Sequence, residues 1–324
     1  MNENITWFME DVHIELKTKL LTLVQLAYGL PSLFLMFFCF LLIATRKKYR
    51  HSTFYILVLF DLLTNICVYL NTWIAIRMEW HPCMIFILKG IQITFPGLID
   101  YIKYFSYWFF HMHFWSAALL TIHRLTSLKF PHQYERFWKR YWPLVFLVVC
   151  IYSHLPRYLW NGFLYEVYIE NGKLICMSFP QTINRAINVV AIFSGIYFIV
   201  NLTNGMICAV YAARHIESAP TKSSRINIKK KLTTIALFYS FAYTAEVTWS
   251  ILNSLNSYHH FMPKWFVENN TVLLTCASDM FTLCLPYVLL MFDTNVRSDL
   301  YFCTRKKSQV GTVVVSVTLG SKNR

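Results

Sequence analysis

Seven long apolar runs alternate with short polar segments along the chain. Their extents predict helices over residues 20–45, 53–76, 100–127, 142–160, 186–213, 232–257 and 265–292. A helix of about 20 apolar residues is needed to cross the hydrocarbon core of a bilayer, and each run is near or above that length. The pattern therefore predicts an all-α, polytopic membrane protein that folds as a bundle of seven transmembrane helices.

The polar stretches between the runs are too short to build a soluble core. We therefore expect an N-terminal segment at 1–19, a seven-helix domain at 20–293 and a tail at 294–324. Residues 1–19 have no positively charged region ahead of a short apolar core, so we expect no cleavable signal peptide.

Composition agrees with this interpretation, because 56% of the residues are hydrophobic and only 14% are charged, against about 25% charged in soluble domains. The net charge of +14 would suit nucleic acid, but its distribution favours a membrane surface. Of the Lys and Arg residues, 4 follow helix 1, 5 lie at or after the end of helix 3, 6 follow helix 5 and 6 lie in the tail, whereas the opposite side has 8. Positive loops face the cytoplasm and anionic lipid. We expect an outside N-terminus, a cytoplasmic tail, membrane lipids as partners and no nucleic acid.

This orientation predicts which side of the membrane each residue open to covalent modification faces. Asn4 and Asn269 begin glycosylation sequons on the outer side. Cys83 and Cys176 are the two cysteines expected on the oxidising side, and they are the natural candidates for a disulfide. Cys303 lies beside basic residues of the tail, where a palmitoylated cysteine and a free thiol are both open interpretations.

The third helix ends at His123-Arg124 and is followed by a basic segment that contains Pro131 and Tyr134. An arginine at the cytoplasmic end of a third helix is typical of seven-helix receptors. The alternative is an arginine that extends its guanidinium to the lipid headgroups.

Three stretches are similar to one known family. They are residues 51–77 with Arg77, residues 123–140 with Arg124 and Tyr134, and residues 278–297 with Pro286-Tyr287. The chain resembles the nematode serpentine receptor class gamma chemoreceptors, which are similar to G-protein-coupled receptors.

The resemblance implies a receptor in the plasma membrane, in the cilia of sensory neurons, that binds an external small molecule or peptide and acts through a heterotrimeric G protein. It implies a G-protein-coupling site at His123, Arg124, Pro131 and Tyr134, and a switch in helix 7 at Pro286 and Tyr287. One position departs from the pattern. Rhodopsin-like receptors usually have an acid before the arginine and this family tends to have asparagine, so His123 leaves Arg124 without the usual local partner.

Four polar residues lie at similar depth in different predicted helices: Asn65, His113, Glu246 and Asp279. Ionisable groups at mid-membrane depth are costly unless they face the bundle interior and pair. The residues could form one network with water or a sodium ion, or they could be independent neutral side chains.

Tyr104, Trp108, His111 and Trp115 follow the i, i+4, i+7, i+11 spacing of one helix face. This face could be the wall of a ligand pocket or an aromatic packing surface between helices.

The sequence contains no Gly-x-Ser-x-Gly turn and no His-Glu-x-x-His motif, so we predict that the protein is not an enzyme and has no metal site and no cofactor. Helix 7 has no lysine for a retinal Schiff base, which argues against an opsin. Two alternatives from other classes are a ligand-gated ion channel or transporter subunit and an intramembrane hydrolase. The first would show ligand-evoked current that survives G-protein block, and the second would contain a bound metal.

Overall fold

The computed structural model describes residues 5–9, 16–130, 132–159, 162, 164–217 and 223–300. This part of the chain is a helical bundle with a small sheet at one end. The helices are α1 (Leu16–Thr45), α2 (Lys47–Arg50), α3 (Thr53–Thr72), α4 (Pro82–Thr94), α5 (Leu98–Lys129), α6 (Tyr134–His154), α7 (Pro180–Glu217), α8 (Ser223–His259), α9 (Lys264–Glu268), α10 (Asn270–Thr282) and α11 (Cys284–Phe292).

Five stretches of the described chain are long and apolar enough to cross a membrane. They are Lys19–Thr45, Thr53–Trp80, Tyr134–Leu159, Pro180–Cys208 and Asn270–Phe292. The bent pair Cys83–Thr94 and Leu98–Ser127 gives a sixth if it counts as one span, by length and composition. α8 packs along α7 and completes a bundle of seven helical segments, with α10 and α11 counted as one segment.

α5 lies at the centre of the bundle, where it contacts α3, α6 and α7. Phe114 of α5 is buried, and its ring centroid lies 4.0 Å from Tyr243 of α8 and 5.4 Å from both Phe281 of α10 and Tyr197 of α7. Each such aromatic pair contributes about 0.5–1.5 kcal/mol beyond the burial of its area. This aromatic cluster fixes the spacing of four helices around one residue.

Two predicted helices contain irregular turns. α3 continues as a π-helix over Trp73–Arg77 and a 3₁₀ turn over Met78–Trp80, so Arg77 lies in a helical segment and not at the start of a loop as predicted. The seventh segment is interrupted at Leu283 between α10 and α11. Pro286 explains the interruption, because it has no N–H to continue the helical hydrogen bonds through that turn.

The polar segment 161–185, between the fourth and fifth predicted helices, contains two strands that the sequence analysis did not predict. β2 (Tyr165–Glu170) and β3 (Lys173–Ser178) form an antiparallel hairpin, and β1 (Ile5–Phe8) pairs with the other edge of β3. The hairpin turns at Asn171-Gly172, which have φ values of 51° and 76°. Asn-Gly is the preferred pair for a two-residue hairpin turn with positive φ at both positions. The sequence therefore contained a turn signal that the helical interpretation overlooked.

The loop predicted between helices 2 and 3 contains α4, which packs beneath the sheet. Ile85 and Leu88 of α4 are buried with Leu174 and Cys176 of β3. α4 and α5 meet at an angle of 108°, and Gly97, with φ of 82°, allows the chain to turn there.

The predicted disulfide between Cys83 and Cys176 is not formed in this structure, where both are free thiols. Cys83 is exposed near the start of α4, whereas Cys176 is fully buried between the sheet and α4. The alternation of the strand directs Cys176 into the apolar cluster under the sheet. Burial raises the pKa of Cys176 to about 12, so this thiol stays protonated at neutral pH.

Candidate functional site

A cavity of about 630 Å³ lies between α3, α5, α7, α8 and α10. Two strands also contribute to its wall, through Ile5 and Trp7 of β1 and Tyr165 of β2. The volume is within the range of about 300–1,000 Å³ that small-molecule sites occupy. The lining is predominantly apolar and aromatic, with a few polar groups, as in such sites.

One face of α5 forms a wall of this cavity. Lys103, Tyr107, Phe110 and His113 line it and follow one another at i, i+4, i+7 and i+10. Ten helical residues separate Lys103 from His113, which is about 15 Å along the axis. The cavity therefore extends from the sheet end of the bundle deep into the helices.

The aromatic face predicted as a possible pocket wall lies on another side of α5; it consists of Tyr104, Trp108, His111 and Trp115. None of these four lines the cavity. The Trp108 Nε1 donates to the carbonyl of Cys150 on α6 at 3.0 Å, and His111 Nδ1 lies 2.8 Å from the hydroxyl of Tyr197 on α7. Tyr104 and Trp115 lie against rings of α6. The packing interpretation of this face is the one that the contacts support.

Asp279 forms a buried ion pair that the sequence did not predict. Arg77 Nη2 lies 2.5 Å from Asp279 Oδ1, and the Tyr28 hydroxyl donates to Asp279 Oδ2 at 2.6 Å. The Arg77 guanidinium also lies 4.9 Å from the ring centroid of Trp73. Both charged residues are only 3% exposed. Asp279 is thereby neutralised by a partner from the end of helix 2, and it links α1, α3 and α10.

The other three residues of the predicted polar network, Asn65, His113 and Glu246, each have at least one buried polar atom without a hydrogen-bond partner. Both amide atoms of Asn65, the Nε2 of His113 and the Oε2 of Glu246 are buried and make no hydrogen bond. Among these described side chains, no hydrogen bond joins Asn65, His113, Glu246 and Asp279 to one another. His113 and Glu246 nevertheless line the same cavity, whereas Asn65 and Asp279 do not.

Two further polar pairs were missed. Ser116 Oγ donates to Asp61 Oδ1 at 2.5 Å in the buried interface between α3 and α5. Lys103 pairs with Glu79 at the sheet end of the cavity and also donates to the carbonyl of Ala75 at 3.0 Å. Both pairs could have been predicted from the sequence, because Asp61 and Lys103 are charged residues within apolar runs. A charged residue in such a run must find a partner inside the bundle.

The predicted coupling residue His123 is a packing residue between α3, α5 and α6. Its Nε2 lies 3.0 Å from the Thr53 hydroxyl, and its ring centroid lies 5.7 Å from Tyr134 and 5.2 Å from Trp138. These contacts with Thr53, Tyr134 and Trp138 fix the position of the His123 ring.

Arg124 is buried at the same end of α5, with its guanidinium 5.3 Å from the ring centroid of Phe54. A headgroup-exposed guanidinium would be largely accessible, and Arg124 is 5% exposed. Pro131, which was predicted to act with it, lies outside the described residues.

The remaining predicted sites are placed as follows. Pro286 is buried in α11, and the Tyr287 hydroxyl lies 2.8 Å from the Ser32 hydroxyl of α1. Asn269, between α9 and α10, donates from Nδ2 to the carbonyl of Trp265 at 2.7 Å. Asn4 and Cys303 lie outside the described residues. Among the described residues there is no group of three or more His, Cys, Asp or Glu that could hold a metal ion.

The sequence matches known chemoreceptors over most of its length. The family model described as Srg family chemoreceptor matches residues 22–300. The chain is 33% identical over 299 residues to Serpentine receptor class gamma-47 of Caenorhabditis elegans, which covers 92% of this chain and 95% of that protein. It is 28% identical over 280 residues to Serpentine receptor class gamma-53 of the same organism, covering 86% and 90%. Together with the apolar helical bundle, these matches confirm both the predicted fold class and the resemblance: the chain belongs to the Srg family of serpentine chemoreceptors and is a multi-pass membrane protein.

Proposed function

We propose that this chemoreceptor binds an external ligand in the cavity between α3, α5, α7, α8 and α10 and signals through a heterotrimeric G protein at the Arg124 end of the bundle. The observation that carries the proposal is the cavity itself, with a volume of about 630 Å³ and a wall built by five helices. A ligand that contacts five helices can change their relative positions, and such a change is how a signal would travel along the bundle.

The proposed orientation has the sheet and the cavity on the outer side and Arg124 on the inner side, at the plasma membrane. The asymmetry of 21 against 8 Lys and Arg residues supports it. His113 and Arg124 lie on the same helix, eleven residues apart, which is about 16 Å. α5 is therefore the shortest route between the ligand site and the coupling end. Ciliary localisation is a corollary that rests on the family resemblance.

The experiment is a ligand screen with a calcium readout in cells that express the full chain, followed by two pairs of substitutions, each a test variant and its control. Arg124→Ala should preserve surface expression and remove signalling, whereas Arg140→Ala, in the neighbouring basic segment, should leave signalling intact. Ser278→Phe should block the cavity and remove the ligand response. Met280→Phe is its control, because Met280 is 52% exposed on the same helix and does not line the cavity. Full signalling from Arg124→Ala at normal surface level would contradict the coupling role.

A channel or transporter subunit is the alternative from another class. The 108° bend between α4 and α5 is the observation that favours it, because broken helices are common in transporters. However, α4 packs under the sheet through Ile85 and Leu88 and does not line the cavity. Ligand-evoked current that survives G-protein block would establish the alternative.

A further inference from the structure

The cavity has an unbalanced set of charges. Among the residues that the structure describes, the charged residues of its lining are Glu79, Lys103 and Glu246. Lys103 and Glu79 pair with each other, and Lys103 also donates to the Ala75 carbonyl. The cation of the cavity is thus already neutralised, and Glu246 is the acid that is left over.

Glu246 is enclosed without compensation. It is 5% exposed, and its Oε2 makes no hydrogen bond. An ionised carboxylate in an apolar environment costs several kcal/mol unless a cation or hydrogen-bond donors accompany it. Glu246 is therefore a buried acid of the cavity lining whose Oε2 has no hydrogen-bond partner.

The surroundings of Glu246 limit what this partner can be. Trp249 lies one helical turn away on α8, and Phe109 and Phe110 of α5 also line the cavity. Aromatic rings attract an ammonium group through their negative faces, and desolvation strengthens that attraction. His113 of α5, which also lines the cavity, adds a second atom without a hydrogen-bond partner, its Nε2.

We propose that the cavity binds an amphipathic organic amine, whose protonated nitrogen pairs with the carboxylate of Glu246. The apolar body of the ligand packs against the aromatic lining, and a second polar group of the ligand exchanges a hydrogen bond with His113 Nε2. Among the described lining residues, a ligand carboxylate would find no free cation, because Lys103 is paired with Glu79. This proposal rests on the proposed function, because it assumes that the cavity is the ligand site and adds the chemical class of the ligand.

The test measures thermal unfolding of the purified full chain with three probes of one carbon skeleton: phenylbutylamine, phenylbutanol and phenylbutyrate. At millimolar concentration we expect the amine to raise Tm by about 2–4 °C and the alcohol and acid to raise it less. Glu246→Gln should weaken amine binding at least tenfold, and Glu246→Asp, which keeps the charge, should weaken it only several-fold. Glu268→Gln is the matched control, because Glu268 is an exposed acid that pairs with Lys264 outside the cavity.

The outcomes separate this proposal from the proposed function. If all three probes stabilise the chain equally, and Ser278→Phe removes every shift while Glu246→Gln removes none, the amine proposal is overturned and the ligand cavity stands. If no probe stabilises the chain, or the shifts persist in Ser278→Phe, both are overturned. An amine-selective shift that is lost in Glu246→Gln and Ser278→Phe and kept in Glu268→Gln and Met280→Phe supports both.

Discussion

Arg77 Nη2 lies 2.5 Å from Asp279 Oδ1, inside the bundle and 202 positions away along the chain. This contact joins the π-helical end of α3 to α10, and the Tyr28 hydroxyl adds α1 to the same carboxylate. One ion pair therefore fixes the relative positions of three helices next to the cavity wall.

Substituting Arg77→Met should destabilise the bundle, because it leaves the Asp279 carboxylate buried without its cation. Breaking a buried pair from one side costs about 3–5 kcal/mol. Asp279→Asn should have an effect of the same sign. The measurement is thermal unfolding of the purified chain in detergent.

The double substitution Arg77→Met with Asp279→Asn is the control for this pair. Because it removes both charges, it should recover much of the stability that Arg77→Met loses. If the double variant were as unstable as the sum of the single variants, the pair would contribute no coupling energy and its assigned role would be wrong.

Gly29→Ala should destabilise the contact between α1 and α3. A Cβ at Gly29 would overlap the Tyr69 hydroxyl oxygen and lie 2.9 Å from its Cζ, and Tyr69 is itself buried. Overpacking of this kind costs about 1–3 kcal/mol.

Gly90→Ala is the matched control on α4, because a Cβ there meets nothing within 4 Å. It should stabilise the chain by about 0.5–1 kcal/mol through helix propensity. Thermal unfolding distinguishes the two variants, and equal effects would contradict the close approach of α1 and α3.

Asp299 should make stability depend on pH at the Arg124 end of the bundle. Partial burial alone would raise the pKa of Asp299, but the hydrogen bonds from Lys48 at 2.7 Å and Tyr49 at 2.8 Å outweigh it and hold this pKa below its usual range. A lowered pKa means that the contribution is complete above the unfolded value near 4 and is lost as the pH falls through the folded value.

Asp299→Asn should therefore lower stability by about 1 kcal/mol at pH 7 and reduce the loss of stability between about pH 4 and pH 2. Thermal unfolding over that pH series is the measurement. A wild-type and a variant curve that stay parallel below pH 4 would show that Asp299 does not contribute.

The proposed topology predicts how epitope tags respond to permeabilisation. A tag at Asn2 should be stained on intact cells, and a tag at Lys322 should be stained only after permeabilisation, because positive segments stay in the cytoplasm. A tag between Lys264 and Trp265 should behave like the one at Asn2. The reverse pattern would refute the orientation and the receptor mechanism that depends on it.

The apolar runs predicted the helices well, because burial in lipid requires a continuous apolar segment. The predicted helix at 53–76 corresponds to α3 and its π-helical extension, and helix 100–127 corresponds to α5. The sheet was missed because the hairpin strands are short and partly polar. Its turn, Asn171-Gly172, was the one local signal.

The site was harder to predict, because depth along a helix does not determine direction around it. Glu246 and Asp279 were predicted to lie at similar depth in the membrane, but only the structure shows that Arg77 pairs with Asp279 and that Glu246 lines the cavity. The aromatic face and the cavity face of α5 both show the spacing of about 3.6 residues that any face of a helix shows. Periodicity alone cannot tell which neighbour a face meets.

β1 is an edge strand of four residues that pairs with β3 alone, yet it supplies Ile5 and Trp7 to the cavity wall. A short edge strand opens locally at lower cost than the helices around it. The residence time of an enclosed molecule would then depend on how often this strand separates from β3, independently of how well the molecule fits. The cavity lining would then set the affinity for the ligand, whereas the pairing of β1 with β3 would set the rate at which the ligand leaves.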